Sequence, residues 1–485
     1  MNNFYTNVIS LGGKILYRGI EDGVRVKKKL EYNPTLFVPS QEETNYKTLS
    51  GNSVLPKQFD GIREAKDFIK RYKDVHNFEF YGNTDFHYCY ISDNFSDTID
   101  YNFNDLVVAN IDIETGSDSG FPEPEDAIEP VIAITMKIKD TFYVFGCGDY
   151  VPTEDNIKYI KTENEASLLR KFIDFWCEFE PDIVTGWNIQ FFDIPYLVNR
   201  IERVLSENDA KQLSPWNFVT TRSVNTSYGK RLNVKSLSGV TILDYLEMYK
   251  KFMPTAENNR LDTIAHIELG EKKLDYSEYG SLHNLYKTNF QKFIDYNIKD
   301  VVLVDKIDEK LQLMSMVVSV AYDAKVNYID VFTQVRMWDT IIFNHLKKQK
   351  IVVPPKRNKK AVQYAGGYVK QPLPGFYNWV ASFDLNSLYP NLIAQFNISP
   401  ETIVEYKNLN VTVDELLNRS KSIEDLQDDN LTMAANGHFF SRDKQGFLPN
   451  ILMRMYEDRK IYKKKMIENK KLLQEIEKEK KRRGI

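Results

Sequence analysis

The segment Leu106–Glu114, LVVANIDIE, constrains the fold more than any other stretch of the chain. Its apolar run predicts a buried β-strand, and strand alternation puts Asp112 and Glu114 on the same face. Two neighbouring carboxylates repel, and burying them is costly unless a cation pairs with them. Further strand-like runs, PVIAITMKI and TFYVFG, follow across acidic, Pro-rich turns such as FPEPEDAIEP. Helical patterning then spans Glu165–Phe179, a strand covers Ile183–Trp187, and a helix begins near Phe192. Strands alternating with helices predict an α/β layer.

Taken alone, an Asp-x-Glu pair is also what chance supplies in a chain this acidic. Two other segments extend the pattern. In NIQFFDIPY, Asp193 opens a helix directly after a strand, where α/β proteins place sites. In Tyr296-Asn-Ile-Lys-Asp300, the tyrosine and the aspartate share one helix face at i and i+4. Each of these acids alone reads equally well as a cap or a solvated charge. Together Asp112, Glu114, Asp193 and Asp300 form an oxygen-only set without His or Cys, suited to Mg²⁺ or Mn²⁺ rather than zinc. Two such ions ~3.5–4 Å apart can activate a water and stabilise the leaving oxygen of a phosphodiester. Tyr296 is placed to orient that water.

Composition limits the remaining possibilities. The 485 residues carry 64 basic and 68 acidic side chains, a net charge of −4. From Arg459 to Ile485 there are 12 basic and 4 acidic residues, so a +8 tail follows a body of net −12. That asymmetry excludes a generally basic, histone-like binder and allows a local anion-binding segment. No apolar run reaches the ~18 residues of a membrane helix, and MNNFYTNVIS lacks a signal-peptide pattern. Three cysteines are too few and too scattered for a disulfide framework or a zinc cluster. The chain reads as soluble and intracellular, with a length suited to about two to four domains.

Elsewhere, LFVP and HYCYI read as short β-type runs around a helix at Ile62–Tyr72. The segment 222–234 predicts a hairpin around Tyr228, Gly229 and Lys230. Residues 287–349 are helical by apolar spacing, and Pro354-Pro355 with the following KRNKK marks a linker. Trp379–Asp384 reads as an apolar strand ending in an acid, followed by a Ser-Leu-Tyr-Pro turn. A strand-end aspartate can hold a cation and turn amides can bind phosphate. An ordinary buried strand before a helix start fits the pattern as well. From Met453 a long polar helix is expected, with Arg459 and Lys463 on one face as a phosphate clamp or a solvated charged surface.

The order D-I-E, N-x-x-x-F-D, Y-x-x-x-D, with roughly 80 and then 107 residues between acids, resembles the three motifs of DEDD-type 3′→5′ proofreading exonucleases. D-x-x-S-L-Y-P from Asp384 resembles motif A of family B DNA polymerases, and Tyr364-Ala-Gly366-Gly367 resembles their Y-x-G-G/A element. The phrases ILDYLEMYKKF, MWDTIIFNHLK, FNISPETI and YGNTDF are similar to the T-even bacteriophage branch, so the resemblance covers essentially the whole chain.

The resemblance implies an α/β multidomain fold: a mixed α+β N-terminal domain (1–106, with a return segment 313–355), an RNase H-like DEDD exonuclease domain (107–312), a partial palm (356–445) and a truncated first fingers helix (446–485). It makes Asp112, Glu114, Asp193 and Asp300 ligands of two Mg²⁺ ions and Tyr296 a water positioner. Asp384 and the Leu385 carbonyl would bind a polymerase metal. Ser387, Leu388, Tyr389, Arg459 and Lys463 would contact a deoxynucleoside triphosphate. DNA contacts would come from Tyr364, Gly366 and Gly367, and from the hairpin residues Tyr228, Gly229 and Lys230. Motifs B and C are not found after Asp384, and Tyr81-Gly82-Asn83-Thr84-Asp85 has Asn where the first acid of motif C belongs.

The resemblance leads to the expectation of the N-terminal subunit or a fragment of a phage replicative DNA-directed DNA polymerase, in the cytoplasm of the infected bacterial host, with an intact 3′→5′ proofreading exonuclease acting on primer-template DNA and single-stranded 3′ ends. Synthesis would need a second polypeptide completing palm, fingers and thumb. A stand-alone exonuclease and a catalytically silent DNA-binding scaffold are the alternatives.

Overall fold

The computed structural model describes residues 3–483 except 77, 119, 121, 226–230, 255, 356–368, 409–413, 416–417, 419, 421–429 and 435. The chain divides into two units. One comprises Met1–Thr35, Gln58–His76 and Thr84–Ile342, the other Leu36–Lys57, Asn77–Asn83 and Phe343–Ile485.

The first unit opens with an antiparallel sheet of β1 (Phe4–Leu11), β2 (Lys14–Glu21) and β3 (Val24–Leu30) in sequential order. Its main layer has six strands: β4 (Val108–Thr115), β5 (Val131–Ile138), β6 (Thr141–Gly146), β7 (Ile157–Lys161), β8 (Ile183–Gly186) and β11 (Thr241–Asp244). Between the last two lies a separate antiparallel ribbon of β9 (Val219–Asn225) and β10 (Arg231–Leu237). The six strands are ordered β7-β6-β5-β4-β8-β11. Strand β5 runs antiparallel to both β4 and β6, whereas β7 runs parallel to β6 and β8 runs parallel to both β4 and β11.

Alternation along β4 decides what each face receives. Ala109, Ile111 and Ile113 enter a core with α1 (Glu165–Phe179) and α2 (Asp193–Val204). Helix α1 carries Leu168, Leu169, Phe172, Ile173 and Trp176 at helical spacing, and the Asn164 side chain caps it through Ser167 N. On the opposite face Ala133 and Val144 pack with Phe293, Ile294, Ile298 and Val301 of α4 (Phe290–Leu311). The even residues of β4 face this second layer, where Asn110 Nδ2 donates to Val301 O at 3.0 Å. Buried Arg18 of β2 donates to Pro181 O and pairs with Asp182 at 3.2 Å, tying the N-terminal sheet to the main layer.

HYCYI is not a strand. It lies in the helix Phe86–Asn94, whose Tyr88, Cys89 and Ile91 are buried. Aromatic and β-branched residues suit a strand only when strand neighbours exist; here burial within a helix overrides the local preference.

In the second unit, α5 (Leu388–Phe396) packs against α6 (Phe447–Arg483), a helix of 37 residues. A three-stranded sheet places His438–Ser441 between Ile403–Asn408 and Leu431–Met433. The start of α6 is pinned by Gly446 N donating to Asn397 Oδ1 (2.8 Å) and Phe447 N to Glu401 Oε1 (2.6 Å). Beyond Ile451 the helix is largely exposed, with Ile461, Tyr462, Leu472 and Leu473 each more than half exposed.

Candidate active site

The carboxylates of Asp112 and Glu114 from β4 meet Asp300 from α4. Their nearest oxygens all lie within 4.8 Å of one another. The i and i+2 spacing puts the first two on the α4 face, and one helical turn after Tyr296 brings Asp300 to them. Asp193, the first residue of α2, is 3% exposed, and its Oδ1 accepts Ile113 N at 3.1 Å, between the two β4 acids. A carboxylate at a helix start is also favoured by the helix dipole.

The loop before Asp193 is tightly held. Gly186 has φ +155°, and a Cβ there would stand 2.4 Å from Ile111 O, so the chain crosses close behind β4. Asp244, at the end of β11, accepts the N–H groups of Asn188 (3.1 Å), Gln190 (2.9 Å) and Leu246 (3.0 Å). One buried carboxylate thus fixes the loop leading to Asp193 and caps α3 (Tyr245–Phe252).

Protein groups take one oxygen of each aspartate. Asp112 Oδ2 accepts Asn297 Nδ2 at 2.7 Å, and Asp300 Oδ2 accepts Lys273 Nζ at 2.5 Å. Asp300 Oδ1 is buried with no hydrogen-bond partner among the described residues. A buried, orphaned carboxylate oxygen beside two further carboxylates suits a hard divalent cation. Lys273 Nζ also donates to Tyr296 Oη at 3.1 Å, and the Tyr276 ring meets that of Tyr296 edge-on with centroids 5.3 Å apart.

The electrostatics follow from this crowding. Burial, then Asp300, Asp193 and Glu114, push the Asp112 carboxyl well above its usual range. Burial and Asp300 raise Glu114 to about 8. Burial raises Asp193 to about 7, against the Ile113 N–H that lowers it. Burial opposes the Lys273 charge, but Asp300, Tyr296 and Asp112 outweigh it and hold the ammonium above its ordinary value. Without a cation the cluster therefore retains protons near neutrality, and a divalent cation would replace them.

The other anticipated residues lie elsewhere. Tyr228, Gly229 and Lys230 fall outside the described residues, although β9 and β10 on either side of them pair as a hairpin. Tyr364, Gly366 and Gly367 also fall outside them. Asp384 does not end a strand: among the described residues, Trp379–Asp384 forms none and is exposed. Trp379 has φ +61°, incompatible with extended backbone, and among the described residues no neighbouring strand takes up this segment's peptide groups. Leu385 and Tyr389 are 69% and 73% exposed. Ser387, at φ +51°, precedes α5, which opens with Leu388. Its Oγ accepts Arg459 Nη1 at 3.2 Å, so these two anticipated phosphate contacts come together, while Lys463 lies one turn further along α6.

Lys273, Asn297 and Asp244 were not anticipated. Asp244 ends a strand before a helix, the same signal that singles out Asp193. Asn297 is a polar residue on the buried face of α4, readable once that face is assigned. Lys273 sits beside Lys272 in a polar stretch and carries no such signal.

Residues 71–264 match the exonuclease domain of DNA polymerase family B, and residues 331–481 match DNA polymerase family B. The chain belongs to DNA polymerase family B. It is 36% identical to a DNA-directed DNA polymerase of Escherichia phage RB69 and 34% identical to one of Enterobacteria phage T4. Each match covers 96% of this chain and 54% of the relative, so the chain spans about half the length of these phage polymerases. A DNA polymerase delta catalytic subunit of Schizosaccharomyces pombe is 27% identical over 73% of the chain. Asp112, Glu114 and Asp193 lie in the exonuclease match and Asp384 in the polymerase match, with Asp300 between them. Among the described residues no helix is long and apolar enough to cross a membrane.

Proposed function

We propose that the chain is a 3′→5′ exodeoxyribonuclease that removes nucleotides from single-stranded 3′ ends of primer-template DNA. The observation that carries this reading is the convergence of Asp112, Glu114 and Asp300, with Asp193 hydrogen-bonded between the first two. The strand order β6-β5-β4-β8-β11, antiparallel and then parallel, supports an RNase H-like layer.

Asp112, Glu114, Asp193 and Asp300 would hold a pair of Mg²⁺ ions, for which Mn²⁺ would substitute. When bound, the pair supplies Lewis-acid stabilisation of the phosphodiester and a more acidic water. Lys273 and the Tyr276 ring fix the Tyr296 hydroxyl, which orients the attacking water. Burial of the acids on the α4 face excludes bulk solvent from the reacting phosphate. The β9–β10 ribbon, with Tyr228, Gly229 and Lys230 at its turn, would help part primer from template.

Asp384 and the Leu385 carbonyl would hold a metal, and Ser387, Leu388, Tyr389, Arg459 and Lys463 a deoxynucleoside triphosphate, with Tyr364, Gly366 and Gly367 on the template. Among the described residues Trp379 is 100% and Phe383 93% exposed, an apolar surface beside this site. Synthesis would also need a second metal-binding acid, which Asp384 alone does not supply.

The test is incubation of purified chain with 3′-labelled single strands and primer-template in Mg²⁺. Release of the label, faster from single strands, is expected without any partner. Label retention at all metal concentrations would overturn the reading.

A further inference from the structure

The aspartates of the cluster are supported in three different ways. Asp193 leans on a main-chain N–H, Asp300 on the Lys273 ammonium, and Asp112 on a neutral carboxamide. That carboxamide, Asn297, is 0% exposed. Its Nδ2 donates to Asp112 Oδ2 at 2.7 Å, and its Oδ1 accepts Thr135 Oγ1 at 2.5 Å. Thr135 is also 0% exposed, and it is the residue directly opposite Asp112 in the β4–β5 register.

A carboxamide has a donor end and an acceptor end, and turning it over exchanges them. Reversed, Asn297 would set a carbonyl oxygen against the Asp112 carboxylate, with lone pairs facing. The Thr135 hydroxyl, by donating to Oδ1, holds the amide so that its N–H meets the acid. The amide orients Asp112 without neutralising it, so the full carboxylate charge stays available to a cation. A lysine in this place would compete with that cation.

We propose that Thr135 and Asn297 form a positioning relay that ties down Asp112 Oδ2 and leaves Oδ1 as the one oxygen of this residue offered to a divalent cation. The proposal rests on the metal-site reading of the cluster and adds which oxygen binds and which residues enforce it. Neither residue touches substrate or metal. Both act through Asp112, as supporting groups behind metal ligands commonly do.

The experiment measures Mn²⁺ binding to the full chain by electron paramagnetic resonance, with melting temperature and circular dichroism recorded for every variant. Asn297→Ala is expected to weaken Mn²⁺ binding ~10–100-fold. Thr135→Val should weaken it in the same direction, and Thr135→Ser, which keeps the hydroxyl, should restore it. In Mg²⁺-dependent hydrolysis, half-saturating Mg²⁺ should rise in Asn297→Ala and Thr135→Val and stay near the wild-type value in Thr135→Ser, with a smaller fall in rate at saturating metal. Unchanged Mn²⁺ affinity in folded Asn297→Ala overturns the relay. Equal affinity of Thr135→Val and Thr135→Ser also overturns it, and that pair decides alone if Asn297→Ala does not fold. Asp112→Ala separates the two levels. If it binds Mn²⁺ like the wild type, the metal-site reading fails; if it loses Mn²⁺ while the relay variants keep it, only the relay fails.

Discussion

Lys273 and Asp300 form an ion pair of 2.5 Å with the lysine side chain 28% and the aspartate 5% exposed. The same ammonium reaches Tyr296 Oη, so one lysine steadies a metal-binding candidate and the proposed water positioner together. Replacing it with methionine strands a buried carboxylate. Lys273→Met is expected to lower stability in chelator by roughly 3 kcal/mol, the scale of breaking a buried pair from one side. Saturating Mn²⁺ should recover part of the loss. Urea denaturation with and without metal measures both, and an unchanged midpoint in chelator would contradict the pairing.

Asp112→Ala should abolish release of a 3′ label, a larger loss than the ~10–100-fold typical of a supporting residue. The fold should survive, because the substitution removes a mutually repelling charge. Degradation at the wild-type rate would mean that the site lies elsewhere.

In chelator, stability should fall as pH rises from about 6 to 8. Glu114 and Asp193, at about 8 and about 7 in the folded chain, sit well above the ordinary carboxylate values of ~4.3 and ~3.9. Between those limits the folded state binds more protons than the unfolded one, so raising pH favours unfolding. Glu114→Gln should flatten the profile, and excess Mg²⁺ at pH 8 should raise the melting temperature. A melting temperature that climbs with pH across this window would refute the crowding of unneutralised acids.

Gly186→Ala should be costly although the residue carries no chemistry. The added Cβ would lie 2.4 Å from Ile111 O and 2.5 Å from Ile189 Cγ2, at a backbone angle that side chains rarely adopt. Something must shift, at ~1–3 kcal/mol for an overpacked position, and what shifts is the backbone behind Asp112. Both thermal stability and Mn²⁺ affinity should drop. A variant that melts like the wild type would show that the loop has more room than its geometry indicates.

What the sequence made legible tracks how local each signal is. Asp112 and Glu114 share a face because of strand alternation, and Tyr296 and Asp300 because of the helical turn; both rules act within five residues. Glu165–Phe179 is predicted and observed with the same ends, since its apolar spacing and its Asn164 cap are both written locally. Asn297 and Lys273 acquire their roles only across the sheet, from Asp112 and Asp300, which no local pattern encodes. Trp379–Asp384 failed as a strand for the converse reason: its residues suit a strand, but β-structure needs a neighbour for every exposed peptide group. HYCYI shows the same dependence, since burial decided in favour of helix.

The acids that converge beside α4 are far apart along the chain: 188 residues separate Asp112 from Asp300. A ribosome adding ~5–20 residues per second would need roughly 10–40 s to pass from one to the other. During that interval the emerging polypeptide carries its first carboxylates but cannot close the cluster. Metal binding by the full cluster, and any cleavage that depends on it, therefore waits until α4 has been made and docked.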